Sequence, residues 1–177
     1  MPGLFGVPEV LSGPLVDGLD ERFQLGSEEW FFGVAGRVAE GATCLQARCG
    51  SVLVDAGGRV IGSGFNAPPL GLESQRKCGL PVDVGVKPKS DKTCCVHAEW
   101  NAVLDGLRFD AAAVRGSTLF FMRVDEFGGF TEAGDPYCSV CSRLTLEAGV
   151  STFGLWNGGP ELWDAESYNL RSYEFFS

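Results

Sequence analysis

The residues best suited to chemistry in this chain fall in two short stretches, Cys95-Val96-His97-Ala98-Glu99 and Pro136-Tyr137-Cys138-Ser139-Val140-Cys141. His97 is the only histidine, so any site that needs imidazole must be built here. Cys138 and Cys141 are three residues apart, a spacing that on a helix places both sulfurs on one face within reach of one tetrahedral metal. Together with His97 they make three ligands. A structural zinc normally closes its shell with four protein ligands, whereas three leave a position for water, which the metal acidifies towards a nucleophile at neutral pH. Glu99 would then be the acid–base group. Two helical steps turn by roughly 200°, so Glu99 can reach the water beside His97 only if His97 lies at or just before the first turn.

The elements that must position these residues can be read from periodicity and punctuation. Ser27 before Glu28 and Glu29 is a helix-start signal, and Trp30, Phe31, Val34 and Val38 follow at helical spacing. Gly33 and Gly36 weaken that helix, and close packing on a sheet is one reason for them. Residues 49–55 and 59–65 are short β-branched runs joined by Ala56-Gly57-Gly58, the pattern of a hairpin. A long polar connection follows over residues 70–94, with Lys87, Lys89 and Lys92, which read either as a solvated face or as contacts for a substrate phosphate. Residues 97–107 form the first metal-bearing helix, with Trp100, Val103, Leu104 and Leu107 as its buried stripe. Residues 117–124 read as a central strand buried on both faces, and 125–135 as a glycine-rich loop. A second metal-bearing helix spans 139–147, with its amino end at the sulfurs, a field that favours thiolates. A strand over 151–156, a break at 157–160, a short helix over 164–170 and a last strand or apolar tail over 172–176 complete the chain. Residues 1–26 read as an irregular extension and 27–177 as one domain. Strand pair, helix, strand, helix, strand gives a sandwich with helices on both faces of a mixed sheet, parallel where a helix joins the later strands.

Composition narrows the function. A chain of 177 residues, 45% hydrophobic, can bury its own core. The formal net charge of −9, with 14 Lys and Arg, disfavours nucleic acid, whose binding is driven by phosphate neutralisation. A small-molecule substrate fits better. No basic and apolar leader and no membrane-length apolar run is present, so a cytoplasmic protein with no membrane association is expected. Seven cysteines in a reducing compartment argue for metal or packing rather than disulfides.

His-x-Glu followed by the Pro136 to Cys141 stretch resembles the zinc-dependent nucleobase deaminases. Thr43-Cys44, Gly50-Ser51-Val52-Leu53-Val54, Gly64-Phe65-Asn66-Ala67-Pro68 and His97-Ala98-Glu99-Trp100-Asn101-Ala102 are further similar to deoxycytidylate deaminases. The resemblance covers about residues 27–157. It implies a cytidine-deaminase-like three-layer α/β/α sandwich around a mixed five-stranded sheet, with zinc held by His97, Cys138 and Cys141. In the implied mechanism an activated water attacks C4 of a cytosine ring, and Glu99 moves its proton to N3 and then towards the departing ammonia. Asn66 and the backbone amide of Ala98 would contact substrate, and no organic cofactor is needed. Some relatives carry a second, structural zinc through cysteines upstream of His-Ala-Glu. Cys44, Cys78 and either Cys94 or Cys95 are the candidates, a set that needs a fourth group the sequence does not name. Relatives also commonly associate, so a homo-oligomer is expected.

The sequence departs from the resembled pattern at Tyr137, which displaces the usual proline by one position, in the longer 125–135 loop, and at Gln46-Ala47, where an arginine pair is common in bacterial relatives. Nucleotide and nucleoside substrates both remain open. Alternatives are deamination of another amino-heterocycle (guanine, pterin-like or drug-like) and a catalytically silent binding domain, against which the retention of Glu99 speaks.

Overall fold

The computed structural model describes residues 17–19, 21–78 and 94–174. Its elements are α1 (Glu28–Ala39), β1 (Arg48–Val54), β2 (Val60–Phe65), α2 (Ala98–Val114), β3 (Thr118–Val124), β4 (Phe130–Thr131), α3 (Ser139–Ala148), β5 (Thr152–Trp156), β6 (Pro160–Asp164) and α4 (Ala165–Glu174). The sheet runs β2-β1-β3-β5-β6, with the two-residue β4 on the end of β3. The hairpin expected over 49–65 is present as the antiparallel β1–β2 pair. Asp55 stabilises its turn by accepting from the N–H groups of Gly57 and Arg59, both at 2.9 Å. β3 is central, antiparallel to β1 and parallel to β5, and α3 lies on the crossover that makes the last pairing parallel.

Side-chain alternation divides the core in two. Val52, Val54, Phe120, Met122 and Val124 face α1 and pack with Trp30, Phe32, Val34 and Ala35. Leu53, Leu119 and Phe121 face the other way and pack with Ala98, Val103 and Val114 of α2 and Tyr168 of α4. The three-layer sandwich is therefore as expected. The sheet has six strands rather than five, and the reasons are local. β6 occupies a stretch read as a break and the start of a helix, because a proline is tolerated at the first position of an edge strand and Asn157 closes a tight turn onto the Gly159 carbonyl at 3.0 Å. β4 lies within the expected loop, and residues 172–174 belong to α4 rather than to a final strand.

Ser27 caps α1 as its position predicts, accepting from Trp30 N–H at 3.2 Å. The α1 glycines make room for side chains, in one case from the sheet strand β4. Gly33 receives the side chains of Leu19 and Phe23, and Gly36 receives the Phe130 ring. Leu19 is fully buried there. Residues 1–16 of the predicted extension, and Lys87, Lys89 and Lys92, lie outside the described residues.

α2 departs most from its reading. It continues past residue 107 to Val114, across a non-helical Asp110 whose carboxylate caps the last turn through Ala112 and Ala113 N–H, each at 3.1 Å. Its buried face is Ala98, Glu99, Ala102, Val103, Asp105 and Gly106, whereas Leu104 and Leu107 are each 37% exposed and Trp100 is half-buried. The cause is close backbone approach. A Cβ on Gly62 would overlap the Ala102 carbonyl and the Gly106 backbone, and one on Gly64 would overlap Ala98 and Ala102, so the helix lies on the strands through its small residues. Asp105 strengthens the seam by accepting from Ser63 N–H at 2.9 Å. Gly62→Ala is expected to force α2 away from β2 at a cost of about 1–3 kcal/mol, read as a melting-temperature drop on the order of 5 °C in thermal denaturation.

Candidate metal centre

Two helix amino ends meet at the site. His97 is the residue immediately before α2, and Cys138 the residue immediately before α3. Cys138 acts as the cap of α3, its Sγ accepting from Cys141 N–H at 3.2 Å. His97 Nδ1 lies 3.0 Å from Cys141 Sγ and 3.4 Å from Cys138 Sγ, and the two sulfurs are 2.7 Å apart. These three donor atoms converge closely enough to hold one ion, and imidazole plus two sulfurs is a zinc donor set. Their supports are backbone-deep. A β-bridge joins Val96 to Ala67, with Val96 N–H donating to the Ala67 carbonyl at 2.8 Å. Asn101 Nδ2 donates to the Phe65 carbonyl at 2.8 Å, tying the first turn of α2 to the end of β2.

The sulfurs are not electrostatically equal. Hydrogen bonding from Cys141, aided by His97, lowers Cys138 to about 5, while burial and the neighbouring Cys138 raise Cys141. The two thus share a proton that a dication, which deprotonates coordinating thiols, would displace. Glu99 is buried in the first turn of α2, and its carboxyl is raised, chiefly by desolvation and against the pull of His97. Cys49 lies next to it on β1, buried, its thiol raised to about 11 by burial and then by Glu99.

Ala98 is fully buried as the first residue of α2, where an amide has no intrahelical acceptor. Asn66 is buried at the end of β2, and both ends of its amide already have backbone partners: Oδ1 accepts from Cys49 N–H at 2.9 Å and Nδ2 donates to the Ala47 carbonyl at 2.8 Å. One Nδ2 proton and one Oδ1 lone pair are left for a ligand.

A second sulfur cluster lies upstream. The thiols of Cys44, Cys78 and Cys95 are mutually within 4.8 Å, and Cys94 stands beside this group with its Sγ 3.8 Å from Cys95 Sγ. Cys78 is lowered to about 7, first by a backbone N–H of Leu45 and then by Arg76, whose Nη1 is 3.4 Å from its sulfur. Burial and Cys44 raise Cys95. A cavity of about 380 Å³ lined by Arg22, Arg37 and Phe130 lies against α1, across the sheet from the centre.

Residues 26–155 match the model of the cytidine and deoxycytidylate deaminase zinc-binding region. The chain belongs to this family. Within the zinc-dependent deaminases, a curated relative is the deoxycytidylate deaminase of Schizosaccharomyces pombe, 28% identical over 155 residues, which are 86% of this chain and 41% of that one. The chain thus spans less than half of that relative's length. Among solved structures, cytidine deaminase from Burkholderia pseudomallei aligns with a TM-score of 0.53 at 17% identity, over 80% of this chain and 95% of that one, and supports the deaminase fold. The dCMP deaminase of cyanophage S-TIM5 in apo form aligns at 22% identity with a TM-score of 0.49, over 71% of this chain and 78% of that one.

Residues not expected at the site hold the metal centre from below. Tyr168 of α4 is buried, stacks on Phe153 at 3.9 Å, and meets the Tyr137 backbone beside Cys138. The Ser142 hydroxyl, one residue after Cys141, donates to Asn169 Oδ1 at 2.9 Å and lies 3.1 Å from Ser172 Oγ. No spacing signal links these partners across 27 and 30 residues. Ser142→Ala is expected to cost about 1–3 kcal/mol by stranding buried polar groups, a melting-temperature loss of several degrees with bound zinc unchanged by metal analysis.

Proposed function

We propose that this chain hydrolytically deaminates a cytosine-containing nucleotide or nucleoside, with a dCMP-like compound as substrate, to the uracil product and ammonia. The observation that carries the reading is Glu99, a buried carboxyl in the first turn of α2 beside three converging donor atoms that do not need it as a ligand. Zinc held by His97, Cys138 and Cys141 would supply the Lewis acidity that makes water nucleophilic at neutral pH. Glu99 takes the proton of the attacking water as the C4–O bond forms, passes it to N3, and then serves the amine as the C4–N bond breaks. Its raised affinity for protons suits both halves of that duty. The buried amide of Ala98 is placed to donate to the ring or to the developing oxyanion, and Asn66 offers its remaining amide proton at the pocket's edge.

We assign a structural zinc to Cys44, Cys78, Cys94 and Cys95, four sulfurs being the closed set expected of such a site. We assign a second copy of the chain as the partner that covers the exposed Leu104, Leu107 and Phe109 of α2. A cytoplasmic setting fits the seven free thiols. Among the described residues, no helix is long and apolar enough to cross a membrane.

Ammonia release from dCMP, CMP, deoxycytidine, cytidine, cytosine and guanine tests the reaction. Release from a cytosine compound is expected, reduced by about 10²- to 10⁴-fold in Glu99→Gln with zinc retained. Release from guanine alone, or from none, overturns the pyrimidine reading. Metal analysis tests the clusters separately: two zinc per chain are expected, with one lost in His97→Ala and the other in Cys78→Ser. One zinc in the wild-type protein, unaffected by Cys78→Ser, would remove the second site.

A further inference from the structure

Arg123 interrupts the apolar run of β3, the one charge in Thr-Leu-Phe-Phe-Met-Arg-Val. Alternation sends it to the face of Leu119 and Phe121, the side covered by α2 and α3. In the sheet register it lies directly opposite Cys49, and its positive charge lowers the Cys49 thiol against the burial that raises it. Cys49 in turn packs in the same cluster as Ala98, the residue between His97 and Glu99. The Arg123 side chain is exposed, and the thiol opposite it feels both Arg123 and Glu99.

Three other arginines are committed elsewhere. Arg48 donates to the Glu40 carbonyl, Arg76 pairs with Glu73, and Arg171 pairs with Asp135 and Glu174. Arg123 has no carboxylate within ion-pair distance among the described residues. The chain carries a formal net charge of −9, a field that disfavours an anionic substrate. A guanidinium at the rim offsets that repulsion and matches the oxygens of a phosphate with paired donors.

We propose that Arg123 recognises the phosphate of the substrate, making this chain selective for a nucleoside monophosphate over the nucleoside. The proposal rests on the deamination reading above and adds the residue that decides between the substrates left open there.

The test compares dCMP with deoxycytidine in zinc-loaded wild-type, Arg123→Gln and Arg123→Lys protein, and measures binding of dUMP and deoxyuridine to the same three by calorimetry. Wild-type protein is expected to favour the phosphorylated member of each pair. In Arg123→Gln the ratio of kcat/KM for dCMP to that for deoxycytidine falls roughly 10- to 100-fold, as for loss of a hydrogen-bonded charge, and the dUMP preference in binding falls with it. Arg123→Lys, which keeps the charge without the fork, retains part of the preference. Equal handling of both members by wild-type protein, including no binding of either, overturns the proposal. A preference that survives Arg123→Gln also overturns it, and moves phosphate recognition to other groups such as Lys87, Lys89 and Lys92. If no cytosine compound is deaminated but dUMP is bound selectively through Arg123, the anion site stands and the reaction reading fails.

Discussion

The metal centre depends on how closely α2 lies on the β1–β2 hairpin. Gly62 and Gly64 present bare backbone to Ala98, Ala102 and Gly106, so main chain rests on main chain with almost no room for adjustment. Such contact fixes the helix along its axis and about it. His97 can therefore sit at the start of α2 with Glu99 turned inward, although an inward carboxyl pays a desolvation cost. It also explains the outward Leu104 and Leu107: the helix is held by its smallest residues, and its largest are left for solvent or a neighbour.

This same feature marks where sequence reading succeeded and where it could not. Donor chemistry was legible because one histidine, one carboxyl two residues on and a Cys-x-x-Cys pair leave few arrangements. Ser27 and the Asp55 turn were legible because caps and turns are local. The buried face of α2 was not, since hydrophobic periodicity assumes that large side chains seek the core, and glycines on another strand reverse that choice. Pro160 reads as a breaker because nothing local reveals that its strand is an edge, where a missing N–H costs nothing. Asn66 is expected from the resemblance as a substrate contact, and only the fold shows its amide bracing Cys49 and Ala47. Arg123 had a signal, a single charge in an apolar run, whose meaning depends on which face it takes.

Backbone groups add to the side-chain electrostatics at the centre. Two helices begin within reach of one point, and each contributes unpaired N–H groups and the positive end of its dipole. Cys138 receives an amide hydrogen bond directly. Negative charge on the Cys138 sulfur is thereby stabilised by the backbone together with Cys141 and His97. In a chain of net charge −9, position matters more than number.

The two sulfur clusters are separated along the chain by very little. Cys95 belongs to one and His97 to the other, and two residues of extended backbone span at most about 7 Å. Val96 between them is clamped to Ala67, so this link has no slack. Placement errors therefore cannot be absorbed between the clusters. A strain that displaces the upstream thiols by an ångström is delivered to the imidazole, and the upstream cluster sets the tolerance to which the reactive one is built.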